Sequence, residues 1–258
     1  MAELYILFVL FLFGAVIGSF LNVCIVRIPE KISIVMPASH CPQCKKPIAV
    51  YDNIPMVSYI ILGGRCRHCK LPIPFRYFLV ETLTAVLLPT LYFWFDLTLA
   101  LPASFAFCAA LIVITFIDLK LQIIPDSISL PGIPLCFLCS FIVPWTTPLE
   151  SGIGILVGGG LLYCVAEGYF YLTKKEGMGG GDIKLLAMIG AFLGWKGALI
   201  ALVAGSFAGS IVGITVMLLK GKDLKYAVPF GPFLSLGAVC SLLYGQELLR
   251  WYLTLGRG

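Results

Sequence analysis

The chain has 258 residues, of which 60% are hydrophobic and only 12% charged, with a formal net charge of +5 and a mean hydropathy of +1.00. A soluble domain carries about twice that charged share, so the composition excludes a soluble globular protein and specifies a multi-span membrane protein. The positive balance reads as membrane orientation and not as nucleic-acid binding.

The first apolar segment, residues 4–26, follows Met1-Ala2-Glu3 with no basic residue. It is longer than the roughly 7–15 apolar residues of a signal-peptide core, and we expect a retained helix. Residues 27–77 are the only long polar stretch, with eight basic side chains against Glu30 and Asp52. A domain of that size is marginal on a hydrophobic core alone, so a metal staple is physically useful. Its prolines, Pro29, Pro37, Pro42, Pro47, Pro55, Pro72 and Pro74, interrupt any long helix and predict short strands and turns.

Seven further segments, 78–95, 97–117, 127–144, 151–172, 183–196, 197–219 and 228–250, approach the length needed to cross about 30 Å of hydrocarbon. The sixth of the eight, 183–196, is too short to cross unaided and is expected as a short buried helix shielded by neighbours. The expected fold is therefore all-α and polytopic, with about eight transmembrane helices and a small zinc-binding domain. The expected divisions are residues 1–26 as the first helix, 27–77 as the zinc domain and 78–258 as the helical bundle. Small-residue spacings in Gly152–Gly160 and Gly205–Gly213 predict close helix packing.

Basic loops stay cytoplasmic. With the N-terminus outside, only Lys196, Arg250 and Arg257 of the 18 Lys and Arg face outward. Among the inward ones are Lys175, Lys222 and Lys225. This topology puts the polar domain, Asp118 and Asp182 on the cytoplasmic face.

Cys41-Pro42-Gln43-Cys44 and Cys66-Arg67-His68-Cys69 supply four thiols from two tight knuckles, the donor set of a closed tetrahedral zinc site. A shell closed by four protein ligands predicts a structural ion that does not activate water. A redox dithiol is the alternative, as is ligation by His40 or His68. Cys24, Cys108, Cys136, Cys139, Cys164 and Cys240 lie in apolar runs and read as small buried hydrophobes.

Ionisable groups at membrane depth are functional candidates. Asp118 lies at the end of a span, near the negative end of its helix dipole, where capping gives no account of it. Asp182 ends Met178-Gly179-Gly180-Gly181-Asp182 and opens another helix, where it can serve as an ordinary N-cap or as half of a catalytic pair. Two carboxyls sharing a proton can add water to an amide and protonate the leaving nitrogen. On the helix-dipole argument Asp118 starts protonated and Asp182 is the base. The glycines let a substrate backbone approach. Asp126 reads as a helix cap, Lys184 as the holder of a neighbouring carboxylate or a lipid headgroup, and Glu81 and Glu167 as makers of helix-to-helix hydrogen bonds.

In these residues the chain resembles the bacterial type IV prepilin peptidases, bifunctional leader peptidase/N-methyltransferases of the GxGD aspartic protease group. The resemblance rests on Gly18-Ser19-Phe20-Leu21-Asn22-Val23, the two cysteine pairs, Tyr51-Asp52-Asn53-Ile54-Pro55 and Gly64-Arg65-Cys66-Arg67. It extends through Arg76-Tyr77, Leu79-Val80-Glu81, Ile117-Asp118, Pro125-Asp126 and Gly179-Gly180-Gly181-Asp182-Ile183-Lys184. Phe78 stands where that family often has proline, and Ile124 where leucine is common. The resemblance implies Asp118 and Asp182 as the catalytic pair. It also implies prepilin or pseudopilin substrates cleaved after a leader glycine, and methylation of the new N-terminus from S-adenosylmethionine, in the bacterial inner membrane among its lipids. Nothing in the sequence marks the methyl-donor pocket or sets an oligomeric state. A GxGD protease without methyltransferase activity, a proton-coupled transporter and a zinc-containing membrane redox protein remain as other readings.

Overall fold

The structure is a computed structural model that describes residues 1–36, 38–41, 43–174, 179–220 and 229–255. Pro37, Pro42, Lys175, Met178, Lys222, Lys225 and Arg257, named above, lie outside the described residues. Among the described residues the chain is all-helical: α1 (Ala2–Arg27), α2 (Val57–Ile61), α3 (Arg76–Phe95), α4 (Ala100–Leu121), α5 (Asp126–Cys139), α6 (Pro148–Thr173), α7 (Gly180–Lys220) and α8 (Gly231–Leu255). Six of these, α1, α3, α4, α6, α7 and α8, are long and apolar enough to cross a membrane. α5 is a shorter apolar helix of 14 residues that contains Pro131 and Pro134.

The eight expected segments all have helical counterparts because α7 is two helices in one. Its 41 residues would run about 60 Å if straight, twice the hydrocarbon thickness. Gly194 breaks it with φ 73° and ψ 176°, a conformation that glycine adopts without a Cβ clash. The arm before the break is the short buried helix expected from the sequence: Leu185, Met188, Ile189, Ala191 and Phe192 are almost fully buried. A break strands backbone carbonyls that the next turn would have satisfied. Ser151 donates its hydroxyl to Ala191 O at 2.6 Å, and the Trp145 indole N–H donates to Phe192 O at 3.0 Å.

The chain divides into two compact units, Met1–Val113 and Ile114–Gly258. In the first, α1 packs on α3. A Cβ on Gly18 would lie 2.8 Å from Glu81 Cα, and one on Gly14 would lie 2.6 Å from Thr84 O, so this crossing requires backbones in near contact. The buried Asn22 continues the same four-residue spacing and donates from Nδ2 to Tyr77 O at 3.0 Å. Glu81 makes a tie to the connecting segment: its Oε2 accepts the Met56 N–H at 2.8 Å.

The segment between α1 and α3 forms no strand among the described residues, against the short strands expected. Two isolated antiparallel bridges, His40 with Pro47 and Arg65 with Pro72, take their place. Each contains a proline, which has no N–H with which to extend a ladder.

In the second unit α7 packs against α5, α6 and α8. The expected glycine contacts hold in part. Gly154 meets the Gly190 carbonyl, Gly158 meets Leu186 O, and Gly205 meets Phe233 O, whereas Gly152, Gly160 and Gly213 face open space. Glu167 is exposed on α6, where the sequence had suggested a bond to a neighbouring helix. Because Gly154 and Gly190 touch backbone to backbone, Gly190→Leu is expected to destabilise the protein by at least about 3 kcal/mol, the upper end for overpacking. The check is thermal unfolding in detergent beside Gly160→Leu, whose site is open and which should leave the midpoint unchanged.

Candidate active site and metal centre

Asp118 lies in the last turn of α4, which ends as the Gln122 N–H bonds Asp118 O at 2.8 Å and Gln122 turns to φ 55°. Its side chain is only 5% exposed, a burial that demands a partner. The partner is the backbone N–H of Gly231, the first residue of α8, which donates to Asp118 Oδ2 at 2.9 Å. Asp118 therefore sits at two helix ends of opposite sign, the C-terminus of α4 and the N-terminus of α8. The dipole argument from α4 alone, which assigned it the first proton, no longer ranks the two acids.

Asp182 is the third residue of α7 and half-buried, inside the first turn and not at its cap. A Cβ on Gly179 would lie 3.8 Å from Asp182 Oδ2, so the carboxyl lies back over the residue before the helix. The two acids belong to the same unit, and the glycine beside each lies against one side chain, Ile124.

Ile124 sits between their two glycine neighbours. A Cβ on Gly181 would be 2.8 Å from Ile124 Cβ, and one on Gly231 would be 3.3 Å from Ile124 Cδ1 and 2.7 Å from Asp118 Oδ2. Glycine is thus required on both sides: a side chain at 181 would displace Ile124, and one at 231 would displace the acid. Gly231 was missed in the sequence, although Phe230-Gly231-Pro232 before an apolar run is a readable helix start.

Asp126 does not cap α5. Its carboxylate binds Lys184 Nζ through both oxygens, at 2.7 and 2.9 Å. This fulfils the expectation that Lys184 holds a neighbouring carboxylate, and it ties the first turn of α7 to the start of α5. The pair is exposed enough that its worth lies in geometry more than in stability.

The four motif cysteines converge. The Sγ atoms of Cys41, Cys44, Cys66 and Cys69 all lie within 4.8 Å of one another, with Cys41 and Cys69 3.8 Å apart. A tetrahedral ion with metal–sulfur bonds of about 2.3 Å needs sulfur edges of about 3.8 Å. No histidine joins this cluster among the described residues.

The two knuckles are built alike. Cys41 N–H bonds Lys46 O at 3.0 Å and Lys45 N–H bonds Cys41 O at 2.9 Å; Cys66 N–H bonds Leu71 O at 2.9 Å and Lys70 N–H bonds Cys66 O at 3.0 Å. Lys45 and Lys70 both turn at φ 59°. The Cys66 thiol is lowered to about 6 by the N–H groups of Cys69 and His68. At Cys69 the Leu71 N–H pulls down, but desolvation and the neighbouring thiols push the value up to about 11. Four crowded sulfurs cannot all ionise without a cation among them. Beside the cluster, Arg67 grips Asp52 with Nε at 2.8 Å and Nη2 at 2.7 Å, which holds the Asp52 carboxyl below its usual range.

Two family models match the chain: the Bacterial Peptidase A24 N-terminal domain over residues 12–95 and the Type IV leader peptidase family over residues 105–214. Similar proteins named prepilin leader peptidase/N-methyltransferase include that of Aeromonas hydrophila, 36% identical over 95% of this chain and 92% of its own length. Those of Legionella pneumophila, 34% identical over 94% and 92%, and Pseudomonas aeruginosa, 33% identical over 94% and 91%, are further examples. No solved structure matches the chain significantly. For the metal centre, elemental analysis of the purified protein should find one thiolate-bound divalent ion per chain, and Cys41→Ala or Cys66→Ala should each remove it. Full occupancy in both variants would exclude this site.

Proposed function

This chain belongs to the type IV leader peptidase family, and from that premise we propose that it removes the leader peptides of type IV prepilins or pseudopilins and N-methylates the residue it exposes. One observation carries the peptidase half. Asp118 and Asp182 are acids of hydrophobic helices in one unit, each lying at a helix end and each beside a glycine packed against the same side chain, Ile124.

In the proposed reaction Asp118 and Asp182 share one proton. The ionised carboxyl takes a proton from water as its oxygen adds to the scissile carbonyl carbon, and the protonated one hydrogen-bonds the carbonyl oxygen. The amide nitrogen then receives a proton as the carbon–nitrogen bond breaks. The Gly231 N–H occupies Asp118 Oδ2, which leaves Oδ1 as the oxygen for the shared proton. Gly180, where nothing lies within 4 Å of a Cβ position, leaves the substrate backbone access, and the Lys184–Asp126 pair fixes the turn that carries Asp182. A proton-coupled transporter would place its acids near the bilayer midplane; here both lie at helix termini.

The ion among Cys41, Cys44, Cys66 and Cys69 is zinc in this reading, since four thiolates at tetrahedral separation suit it and leave no open position for water. Its role is to hold the segment between α1 and α3. S-Adenosylmethionine supplies the methyl group for the new amino terminus. The distribution of Lys and Arg supports an outward N-terminus, with both aspartates and the metal domain on the cytoplasmic face of the inner membrane.

The test is incubation of the purified protein in detergent with a prepilin-like peptide, with and without S-adenosylmethionine, read by intact mass. Loss of the leader mass and gain of one methyl mass score the two activities separately. Asp118→Asn and Asp182→Asn should each abolish cleavage, and substantial turnover in either would contradict the shared-proton scheme. Gly231→Ala should lower cleavage about tenfold or more, as the lost hydrogen bond to a charged group is worth roughly 1.5–3 kcal/mol.

A further inference from the structure

The aspartate chemistry leaves unused a set of buried polar groups in the first unit, where the C-terminal part of α1 meets the start of α3. Asn22 is 2% exposed. Its Nδ2 donates to Tyr77 O at 3.0 Å, which fixes which way the amide points, and its Oδ1 is buried with no donor among the described residues. Arg76, the first residue of α3, has a buried Nε with no acceptor among the described residues. Buried polar atoms are nearly always paired, and two unpaired ones beside the same short stretch of α3 call for a partner.

The surroundings say what chemistry that partner has. A cation at a helix N-terminus faces the positive end of the dipole, and α3 has no side-chain cap. The Arg76 guanidinium lies over the Tyr77 ring, 5.2 Å from its centroid, and, among the described residues, not on any carboxylate. Arg76 and the helix end together form a receptor for a carboxylate. The lone oxygen of Asn22 asks for the opposite, an N–H donor such as an ammonium. Glu81 is already engaged by Met56 N–H at 2.8 Å and by the Ser19 hydroxyl, so it braces the site and does not fill it. A carboxylate receptor and an ammonium acceptor on adjacent elements match the zwitterionic head of an amino acid.

One residue from Arg76, Phe75 is 60% exposed. It packs against Phe78 at 5.7 Å and Tyr59 at 6.4 Å between centroids, which presents aromatic faces to a purine or to a sulfonium. We propose that Asn22 and Arg76 hold the amino-acid head of S-adenosylmethionine and that the ring cluster of Phe75 receives its adenosyl part. This rests on the methyltransferase half of the function above and gives it a location.

The test compares two probes on the full-length protein in detergent by equilibrium dialysis: S-adenosylhomocysteine, which carries the amino-acid head, and methylthioadenosine, which lacks it. The wild type should bind the first at least about tenfold more tightly, the worth of hydrogen bonds to charged groups. In Asn22→Leu and in Arg76→Lys that ratio should fall toward one while methylthioadenosine affinity stays within about twofold. A purely structural brace would weaken both probes together, and that result overturns the proposal. So does a wild-type ratio in both variants, or a wild-type protein that binds the two probes equally. Arg76→Lys keeps the charge and most of the stem, so the ratio remains measurable if Asn22→Leu fails to fold. If the wild type adds no methyl mass to a cleaved peptide and binds neither probe, the methyltransferase reading itself falls. If it methylates while the variants keep its ratio, this site alone falls.

Discussion

A buried carboxyl has to be met by something, and in this protein the Gly231 amide meets Asp118 at 2.9 Å. Much of the local architecture follows from that bond. It requires the first turn of α8 to end against the last turn of α4, and it requires residue 231 to have no side chain, because a Cβ there would reach the carboxyl oxygen. It also replaces hydration with an orphan helix N–H, the group a helix start offers to an anion. An acid that would be costly in an apolar bundle becomes tolerable, among the described residues, without being neutralised by a cation.

The same economy governs how Asp182 is placed. A straight α7 could not both cross a bilayer and present a buried first arm. The break at Gly194 separates an arm that packs against α5 and α6 from one that packs against α8. Trp145 and Ser151 supply the donors that the break removes. The glycine contacts of α6 with the first arm, and the Lys184–Asp126 pair at its start, then fix the position of the turn that carries the acid. Packing by small residues, a device of helix association in lipid, here sets the position of a functional group.

The helices were legible because apolar runs of spanning length have few other readings, and the metal cluster because two Cys-x-x-Cys pairs supply a complete ligand set. The aspartates stood out for the opposite reason: Asp118 fits no capping role, which left a catalytic one as its expectation, and the structure adds that its carboxyl is buried. What the sequence concealed depends on partners distant along the chain. The Gly231 bond spans 113 residues, and no local pattern announces it. Asp126 looked like a cap, but Pro125 takes that position and its carboxylate reaches Lys184 instead. Strands were expected between α1 and α3, yet the prolines that end helices also stop ladders at a single bridge. Gly14 and Gly18, inside a uniformly apolar run, gave no sign that α3 presses against them.

The central claim is that Asp118 and Asp182 face one another across a single site. Its most direct test replaces both with cysteine and treats the purified protein with a short bis-methanethiosulfonate spanning about 5 Å, comparable to a disulfide's Cα separation, each arm forming a disulfide with loss of methanesulfinate, followed by digestion and peptide mass mapping. The account predicts a dominant intramolecular bridge between positions 118 and 182. Separate single adducts at the two positions, with no bridged peptide, would contradict it.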